Sequence, residues 1–422
     1  MKKIITTILA IGIILRIFLA STTYHSDTAP FDFAGKVIGS GNVTNFYDYL
    51  WDLPEDHPYL KIYPRNLFNY PPLPYFFLGG ASLLTTWMVD PVIHNDFILN
   101  FESTLGNIQL NFLLLLLKLP YFFFDIAIAY LLMVLFKEKK EKLWIFGLWI
   151  FNPVNLYATY MVGQFDIIPT FLAVLALVLV FKNKDRIDSY NMIPSAVLLG
   201  LGASFKIFPL LLIVPLAFIK KDWWGRIVIL VTAGVTYLIT AFPFILSAGF
   251  RRTALLASQT TKSFYAQIPV SGGESIILFL AAVVFCYIVF LYAKNATDSL
   301  WKSFFIMLLV FFIFTHYHPQ WLLWIMPYFM IDLVASKFKH WPLFLGVMIS
   351  FVALVTFFDP GLTVWLFAPI NPSLYGEVGI WQQLGLNIDI NMARSIFHTL
   401  FVGIAAYYIY YYFPKVKDNE QK

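Results

Sequence analysis

Long apolar runs recur from one end of the chain to the other, and they restrict the possible folds more than any other feature of the sequence. Each run is about eighteen residues or longer, enough for a helix to cross the roughly 30 Å hydrocarbon core of a bilayer. Strands of a membrane barrel would be shorter and would alternate apolar with polar residues. Charged residues make up 13% of the 422 residues, too few to cover a water-soluble protein. The sequence therefore predicts an all-α integral membrane protein.

The apolar runs predict a polytopic bundle of about twelve transmembrane helices. Three connections are too long to be simple turns and hold apolar and aromatic residues throughout, which favours ordered, functional loops. They are 22–70, 249–274 and 359–391. The predicted spans are 3–21, 71–89, 111–136, 143–161, 165–181, 192–219, 227–248, 275–293, 300–315, 320–335, 341–358 and 392–413.

Basic residues indicate which side each connection faces, because cytoplasmic loops are enriched in Lys and Arg. The clusters near the N-terminus, at 220–226, at 337–339 and at Lys415 and Lys417 predict cytoplasmic termini and place the three long connections outside. Simple alternation leaves the basic clusters 137–142 and 182–186 outside, against the rule. One resolution makes 71–89 a re-entrant or interfacial segment and divides 192–219 near 206–209. The sequence leaves this open, but the first loop is external in either case.

The first external loop carries the acids best placed for chemistry. Asp27 and Asp32 follow the end of the first span, with His25 close by. A carboxylate at the membrane surface is partly removed from water, which suits a general base. The alternative is that both are ordinary interfacial acids.

Four ionisable residues fall within or at the ends of apolar spans, where a charge costs several kcal/mol and usually has a function. They are Lys118, Asp125, Asp166 and Lys206. Lys118 and Asp125 are seven residues apart on one helix face, so an internal ion pair is an alternative to a functional role. Lys206 is a lone cation in a long apolar stretch beside Pro209, which favours phosphate binding over a lysine that reaches out to the interface.

The later external loops contain further cations. Arg251, Arg252 and Lys262 are candidates for binding phosphate or lipid headgroups. His316 and His318 would face the same way on an extended segment, a weak indication of a metal site. No nucleotide-binding or hydrolase motif is present, and the basic residues lie in short clusters between spans, which excludes a nucleic-acid partner. No cofactor is certain, although a divalent metal stays open.

An ordered series of short motifs resembles the GT-C superfamily of polytopic glycosyltransferases, above all the GPI-anchor mannosyltransferases and their prokaryotic relatives. The resemblance covers about residues 15–335. The motifs are His25-Ser26-Asp27, Asn69-Tyr70-Pro71-Pro72-Leu73, Lys118-Leu119-Pro120 with Asp125, Trp149-Ile150-Phe151-Asn152-Pro153, Gly163-Gln164-Phe165-Asp166, Phe205-Lys206-Ile207-Phe208-Pro209 and His318-Pro319-Gln320-Trp321.

The resemblance implies that the acid of the first external loop, Asp27, deprotonates the acceptor hydroxyl. Eukaryotic members have two acids around one residue at this motif, whereas this chain has His25 in the first place, which puts a two-carboxylate metal site in doubt. The remaining motif residues would bind donor or acceptor. With the loop cations, these are His25, Tyr70, Gln164, Asp166, Lys206, Arg251, Arg252, His318 and Gln320, with Asp32 as a second catalytic candidate.

We therefore expect a membrane glycosyltransferase that moves a hexose, mannose favoured, from a polyprenyl- or dolichyl-phosphate sugar to a lipid or glycan acceptor outside the membrane, with inversion. Residues 1–335, including loop 22–70, would form a GT-C-like catalytic module, and 336–422 would add C-terminal transmembrane helices. The expected location is a prokaryotic plasma membrane. The alternatives are a lipid or solute transporter, whose acids would lie at mid-span, and a non-catalytic subunit of a complex.

Overall fold

The protein is almost entirely helical, as its apolar runs predict. In a computed structural model, residues 1–184, 189–255, 261–293, 297–316 and 318–414 are described. The chain is 74% helical. Within the described residues, the only sheet is an antiparallel hairpin of β1 (Gln267–Ser271) and β2 (Glu274–Ile277). Gly272 and Gly273 form its turn with φ values of 58° and 86°, which hairpin turns of this kind require.

Fifteen helices of eight or more residues make up the described part of the fold. In chain order they are α1 (Lys2–Thr22), α2 (Ala29–Gly39), α3 (Pro72–Thr85), α4 (Pro91–Leu99), α5 (Ile108–Val134), α6 (Lys139–Ile150), α7 (Ile167–Lys182), α8 (Ser189–Phe205), α9 (Leu210–Ala217), α10 (Trp223–Ala241), α11 (Leu278–Tyr292), α12 (Leu300–Phe314), α13 (Met326–Ala335), α14 (Trp341–Thr356) and α15 (Ile390–Tyr412).

Among the described residues, five segments are long and apolar enough to cross a bilayer on their own. They are α1, α5, Trp223–Phe244, Thr297–Phe314 and α15. Shorter apolar helices pack between them, including α7, α8, α11, α13 and α14. This supports an integral membrane protein, while the number of about twelve crossings stays a prediction. Lys415 and Lys417, which were used to orient the C-terminus, lie outside the described residues.

The segment predicted as span 71–89 contains a helix that is shorter than the predicted span. α3 has 14 residues, roughly 21 Å of helix, which is shorter than the hydrocarbon core. It crosses α2 at a pair of glycines: a Cβ on Gly79 would lie 2.8 Å from the Gly35 nitrogen, so neither position has room for a side chain. α2, α3 and α4 pack together as one unit after the first long helix.

Two other predicted spans are broken. The predicted span 192–219 divides into α8 and α9, and Lys206 to Pro209 lie between them. The predicted span 143–161 becomes α6, a single turn at Pro153–Asn155 and a π-helix over Leu156–Met161. π-Helical turns are rare and often occur at functional sites.

A buried ion pair links α1 to α5. Arg16 Nε donates to Asp125 Oδ2 at 2.6 Å, and both side chains are fully buried. Trp149, Asn155 and Tyr160 donate three further hydrogen bonds to the same carboxylate. The Lys118–Asp125 pair considered from the sequence is therefore not formed. A seven-residue spacing allows such a contact, but Arg16, distant in sequence, lies closer in the fold.

Candidate active site

Asp27 is fixed in the tight turn between α1 and α2. His25 begins the turn, because its Nδ1 accepts a hydrogen bond from the Asp27 backbone N–H at 3.2 Å. Pro30 lies in the first turn of α2, where a missing N–H costs nothing. The Asp27 side chain is 46% exposed, which is intermediate between a core acid and a surface acid.

Gln164 holds the Asp27 carboxylate from the opposite side, with its Nε2 donating to Asp27 Oδ2. Gln164 follows the π-helix and Gly163, whose φ of 77° favours glycine. Lys118 Nζ donates to the Thr23 carbonyl at 2.6 Å, and Tyr121 Oη donates to the Gly163 carbonyl at 3.0 Å. These bonds from α5 fix the two segments that bring Asp27 and Gln164 together.

A polar cavity of about 210 Å³ opens in front of the Asp27 carboxylate. The side-chain Oε1 atoms of Gln164 and Gln320 are buried, and no described residue donates a hydrogen bond to either. Buried acceptors without partners are costly, so a ligand with hydroxyl donors would satisfy them. We call this space the Asp27 cavity; its lining includes Asp27, Asn69, Tyr70, Gln164, His318, Gln320 and Trp321.

A second, mostly apolar space of about 330 Å³ adjoins the Asp27 cavity. The two share three lining residues, Asn69, Tyr70 and Trp321. Burial and the nearby Asp27 and Asp166 carboxylates raise the pKa of Tyr70, so its phenol stays protonated and can donate. We call the second space the apolar groove; its lining includes Tyr70, Lys206, Phe208, Leu211, Phe279, Phe311, Trp321 and Trp324.

Lys206 lies where the two spaces meet, but it is not a lone cation. Its Nζ is 2.8 Å and 2.9 Å from the two carboxylate oxygens of Asp166, and Trp324 Nε1 also donates to Asp166. Four aromatic rings lie within 5.4 Å of the ammonium, and one of them is Trp321 at 5.3 Å. The description of Lys206 as a lone cation, drawn from the sequence, was wrong. Its partner, Asp166, lies forty residues earlier in the chain.

Lys262 is a second cation at the same junction. Its Nζ lies 5.6 Å from the Trp321 ring and 3.1 Å from His318 Nε2. Among the described residues, Lys262 forms no ion pair with an acid. Burial and the charge of Lys206 lower the pKa of Lys262. Burial, together with the charge of Lys262, lowers the pKa of His318 to about 3, so its ring is neutral and can accept a hydrogen bond from Lys262.

One comparison with known protein families finds a match in the central part of the chain. The model of Glycosyltransferase family 87 matches residues 112–273, which is less than half of the chain. The matched stretch contains Gln164, Asp166, Lys206 and Lys262, while Asp27 lies before it and His318 after it. The chain is a glycosyltransferase. No curated protein and no solved structure matches it.

Not all of the residues predicted from the sequence line the Asp27 cavity or the apolar groove. Asp32 is fully buried, accepts from Ser82, lies 2.8 Å from His94 Nε2 and does not line the Asp27 cavity. Arg251 and Arg252 line neither space, and the Arg252 guanidinium lies over the Trp51 ring. His25 contributes as the residue that begins the Asp27 turn.

The two histidines of the later loop do not share a metal site. Their rings are 6.2 Å apart; His318 lines the Asp27 cavity, whereas His316 lines a different cavity. Within the described part of the transferase, no three His, Cys, Asp or Glu side chains come together in a group able to hold a metal ion.

Two residues that hold the acids of the site were not predicted from the sequence. Arg16, the partner of Asp125, was not considered, although a single arginine inside the first apolar run was a visible signal. Trp324, which donates to Asp166, had no such signal, because tryptophans are common at membrane interfaces.

Proposed function

We propose that the protein is a GT-C-type hexosyltransferase that uses a polyprenyl-phosphate sugar and transfers the sugar to an acceptor hydroxyl on the external face. The observation that carries the proposal is a half-exposed carboxylate in a polar cavity that adjoins an apolar groove with cations at the junction. The sugar of such a donor matches the polar cavity, its phosphate matches the cations at the junction, and its prenyl chain matches the apolar groove. The preference for mannose rests on the resemblance to GPI-anchor mannosyltransferases alone.

Asp27 acts as the general base. Gln164 occupies Oδ2, and no described residue donates a hydrogen bond to Oδ1, so this oxygen is available to the acceptor hydroxyl. As Oδ1 takes the hydroxyl proton, the acceptor oxygen attacks the anomeric carbon, and the bond from that carbon to the phosphate oxygen breaks. The electron pair leaves with the polyprenyl phosphate. A single displacement of this kind inverts the anomeric centre.

The donor phosphate binds over Trp321, between Lys206 and Lys262. The Asp166 carboxylate offsets the charge of Lys206. Lys206, Asp166 and Lys262 together therefore carry one net positive charge, which comes from Lys262. This charge matches the phosphodiester of the donor and opposes the charge that develops on the leaving phosphate. Gln164 and Gln320 accept hydrogen bonds from the sugar hydroxyls, and the prenyl chain follows the apolar groove.

The test is transfer from synthetic polyprenyl-phosphate sugars by the full chain in detergent, with no ion gradient and with donors that differ only in the hexose. Asp27→Asn should lower the rate by about 10²–10⁴-fold, because a general base contributes about that much. Its melting temperature should not change, since the amide keeps the shape of the side chain.

Asp56→Asn is the matched control: the acid is exposed in the same external loop and lines neither space. It should retain the wild-type rate. If Asp27→Asn keeps more than about a tenth of that rate, Asp27 is not the base. A wild-type chain that transfers no hexose from any polyprenyl-phosphate donor contradicts the donor class. A transporter is disfavoured by the match to Glycosyltransferase family 87 and by the position of Asp27 at a helix end rather than at mid-span.

A further inference from the structure

A third cavity, lined by basic side chains, has no part in the proposed transfer. It has a volume of about 170 Å³, roughly the space of six water molecules. It lies between the end of α12, the end of α14 and the first turns of α15. We call it the basic cavity; the residues that define it are His316, Phe358, Asn391, Arg394, Ser395 and His398.

The basic cavity carries the positive charge of Arg394. Its lining contains an arginine and two histidines but no acid, and within the described parts of the chain Arg394 forms no ion pair. The Arg394 guanidinium donates to Asn391 Oδ1 at 2.5 Å, a neutral partner, and lies over the Phe358 ring at 5.2 Å. The nearest acid along α15, Asp389, accepts from backbone N–H groups of Asn391 and Met392.

The electrostatic effect of these groups is visible at His316. Burial lowers the pKa of His316, and the positive charges of Lys262, Arg394 and His398 lower it further. An anion placed between these groups would reduce the electrostatic repulsion between their positive charges. A guanidinium beside a cavity of this size suits an oxyanion such as phosphate better than an apolar ligand.

We propose that the basic cavity binds a phosphate-type oxyanion, at a position separate from the donor phosphate. The Phe358 ring contacts the histidines of both spaces: its centre is 6.1 Å from that of His316 and 5.0 Å from that of His318, which lines the Asp27 cavity. The oxyanion is either a free phosphate or the phosphate of a lipid headgroup, since the first turns of α15 follow the connection 359–391, which is predicted to be external. The proposal does not depend on which sugar is transferred.

The experiment is a binding titration of the full chain in detergent with two probes, inorganic phosphate and the short-chain lipid dihexanoylphosphatidic acid. Four proteins are compared: wild type, Arg394→Gln, Arg394→Lys and Lys262→Met. We expect saturable binding to wild type, at least tenfold weaker binding to Arg394→Gln, and partial retention in Arg394→Lys. Lys262→Met should bind like wild type, because Lys262 does not line the basic cavity.

The outcomes distinguish free phosphate from a lipid headgroup, and the basic cavity from the position of the donor phosphate. Binding of both probes indicates a site that takes free phosphate, whereas binding of the lipid alone indicates a headgroup site. No saturable binding, or equal binding to wild type and Arg394→Gln, overturns the proposal. So does binding that Lys262→Met abolishes and Arg394→Gln does not, since the probe would then occupy the donor position. Lys61→Gln, an exposed cation of the first external loop, controls for a general loss of positive charge.

Discussion

Lys206 and Lys262 show how the surroundings of a charge decide its function. Both ammonium groups lie within 6 Å of the same Trp321 ring. Lys206 is buried and bonded to both oxygens of Asp166, whereas Lys262 is half-buried and its nearest polar partner is the neutral His318. Substitution of Lys206 leaves the buried Asp166 carboxylate without its cation. Substitution of Lys262 takes no cation away from a buried acid.

We predict that Lys262→Met raises the donor concentration for half-maximal rate by about ten- to a hundredfold, the value of a charge-assisted contact of about 1.5–3 kcal/mol. Its melting temperature should stay near that of wild type. Lys206→Met should weaken donor binding by a similar factor and also lower the melting temperature. The double variant Lys206→Met/Asp166→Asn should recover stability but not donor affinity. If the double variant also recovers donor affinity, Lys206 serves only to balance Asp166.

Asp32 is predicted to stabilise the protein rather than to catalyse transfer. Its carboxylate joins α2 to Ser82 of α3 and His94 of α4. Asp32→Asn should lower the free energy of unfolding by about 1.5–3 kcal/mol for each hydrogen bond to the charged group that is lost. The rate per folded molecule should stay within a few-fold of wild type. A variant that melts normally but transfers no sugar would return Asp32 to the catalytic residues.

At the scale of elements, the buried Arg16–Asp125 pair connects three segments that build the site. It joins α1, which ends just before the Asp27 turn, to α5, which fixes that turn through Lys118 and holds Gly163 through Tyr121. Asn155 and Tyr160 add the π-helix that leads to Gln164. The distance between Asp27 and Gln164 therefore depends on how these three segments pack.

We predict that Arg16→Met and Asp125→Asn each destabilise the protein by about 3–5 kcal/mol, because each leaves a buried polar group without its partner. The double variant Arg16→Met/Asp125→Asn should be less destabilised than the sum of the two, since it removes both charges. Thermal unfolding in detergent measures all three. Arg16→Lys is the matched control that keeps the charge. Strict additivity would show that the pair does not couple α1 to α5.

At the scale of the whole molecule, the short α3 and the break between α8 and α9 bear on the orientation of the chain. If α3 does not cross the bilayer, the chain passes from the external first loop through α5 to the basic cluster 137–142, which is then cytoplasmic. If the chain reverses direction between α8 and α9, the segment around Lys206 is on the external side with Asp27, as their shared site requires. Both changes were among the alternatives that the sequence left open.

We predict that this orientation can be read by cysteine labelling in a Cys286→Ala background. Asp56→Cys in the first loop should react with an impermeant maleimide added to intact cells. Lys139→Cys should react only after permeabilisation, because its cluster faces the cytoplasm. Labelling of Lys139→Cys in intact cells would mean that α3 crosses the membrane after all. Protection of Asp56→Cys would reverse the external position of the site.

The helical membrane class and the enzyme class followed from the sequence, because long apolar runs allow no other spanning structure and short ordered motifs carry the resemblance. The sequence also offered Asp27, Gln164, Lys206 and His318 individually as candidates. Asp27 and Lys206 were visible because a charged group beside or within an apolar run is costly, whereas Gln164 and His318 belong to motifs that carry the resemblance.

The partners of these groups were decided by the tertiary structure alone. Asp125 pairs with Arg16 rather than Lys118, and Lys206 with Asp166, because contacts between helices join residues that are about forty to more than a hundred positions apart. The same packing separates Asp32 from Asp27 and His316 from His318, although each pair is close in sequence. Local spacing sets which face of one helix a residue occupies, but only the packing of several helices sets what that face meets.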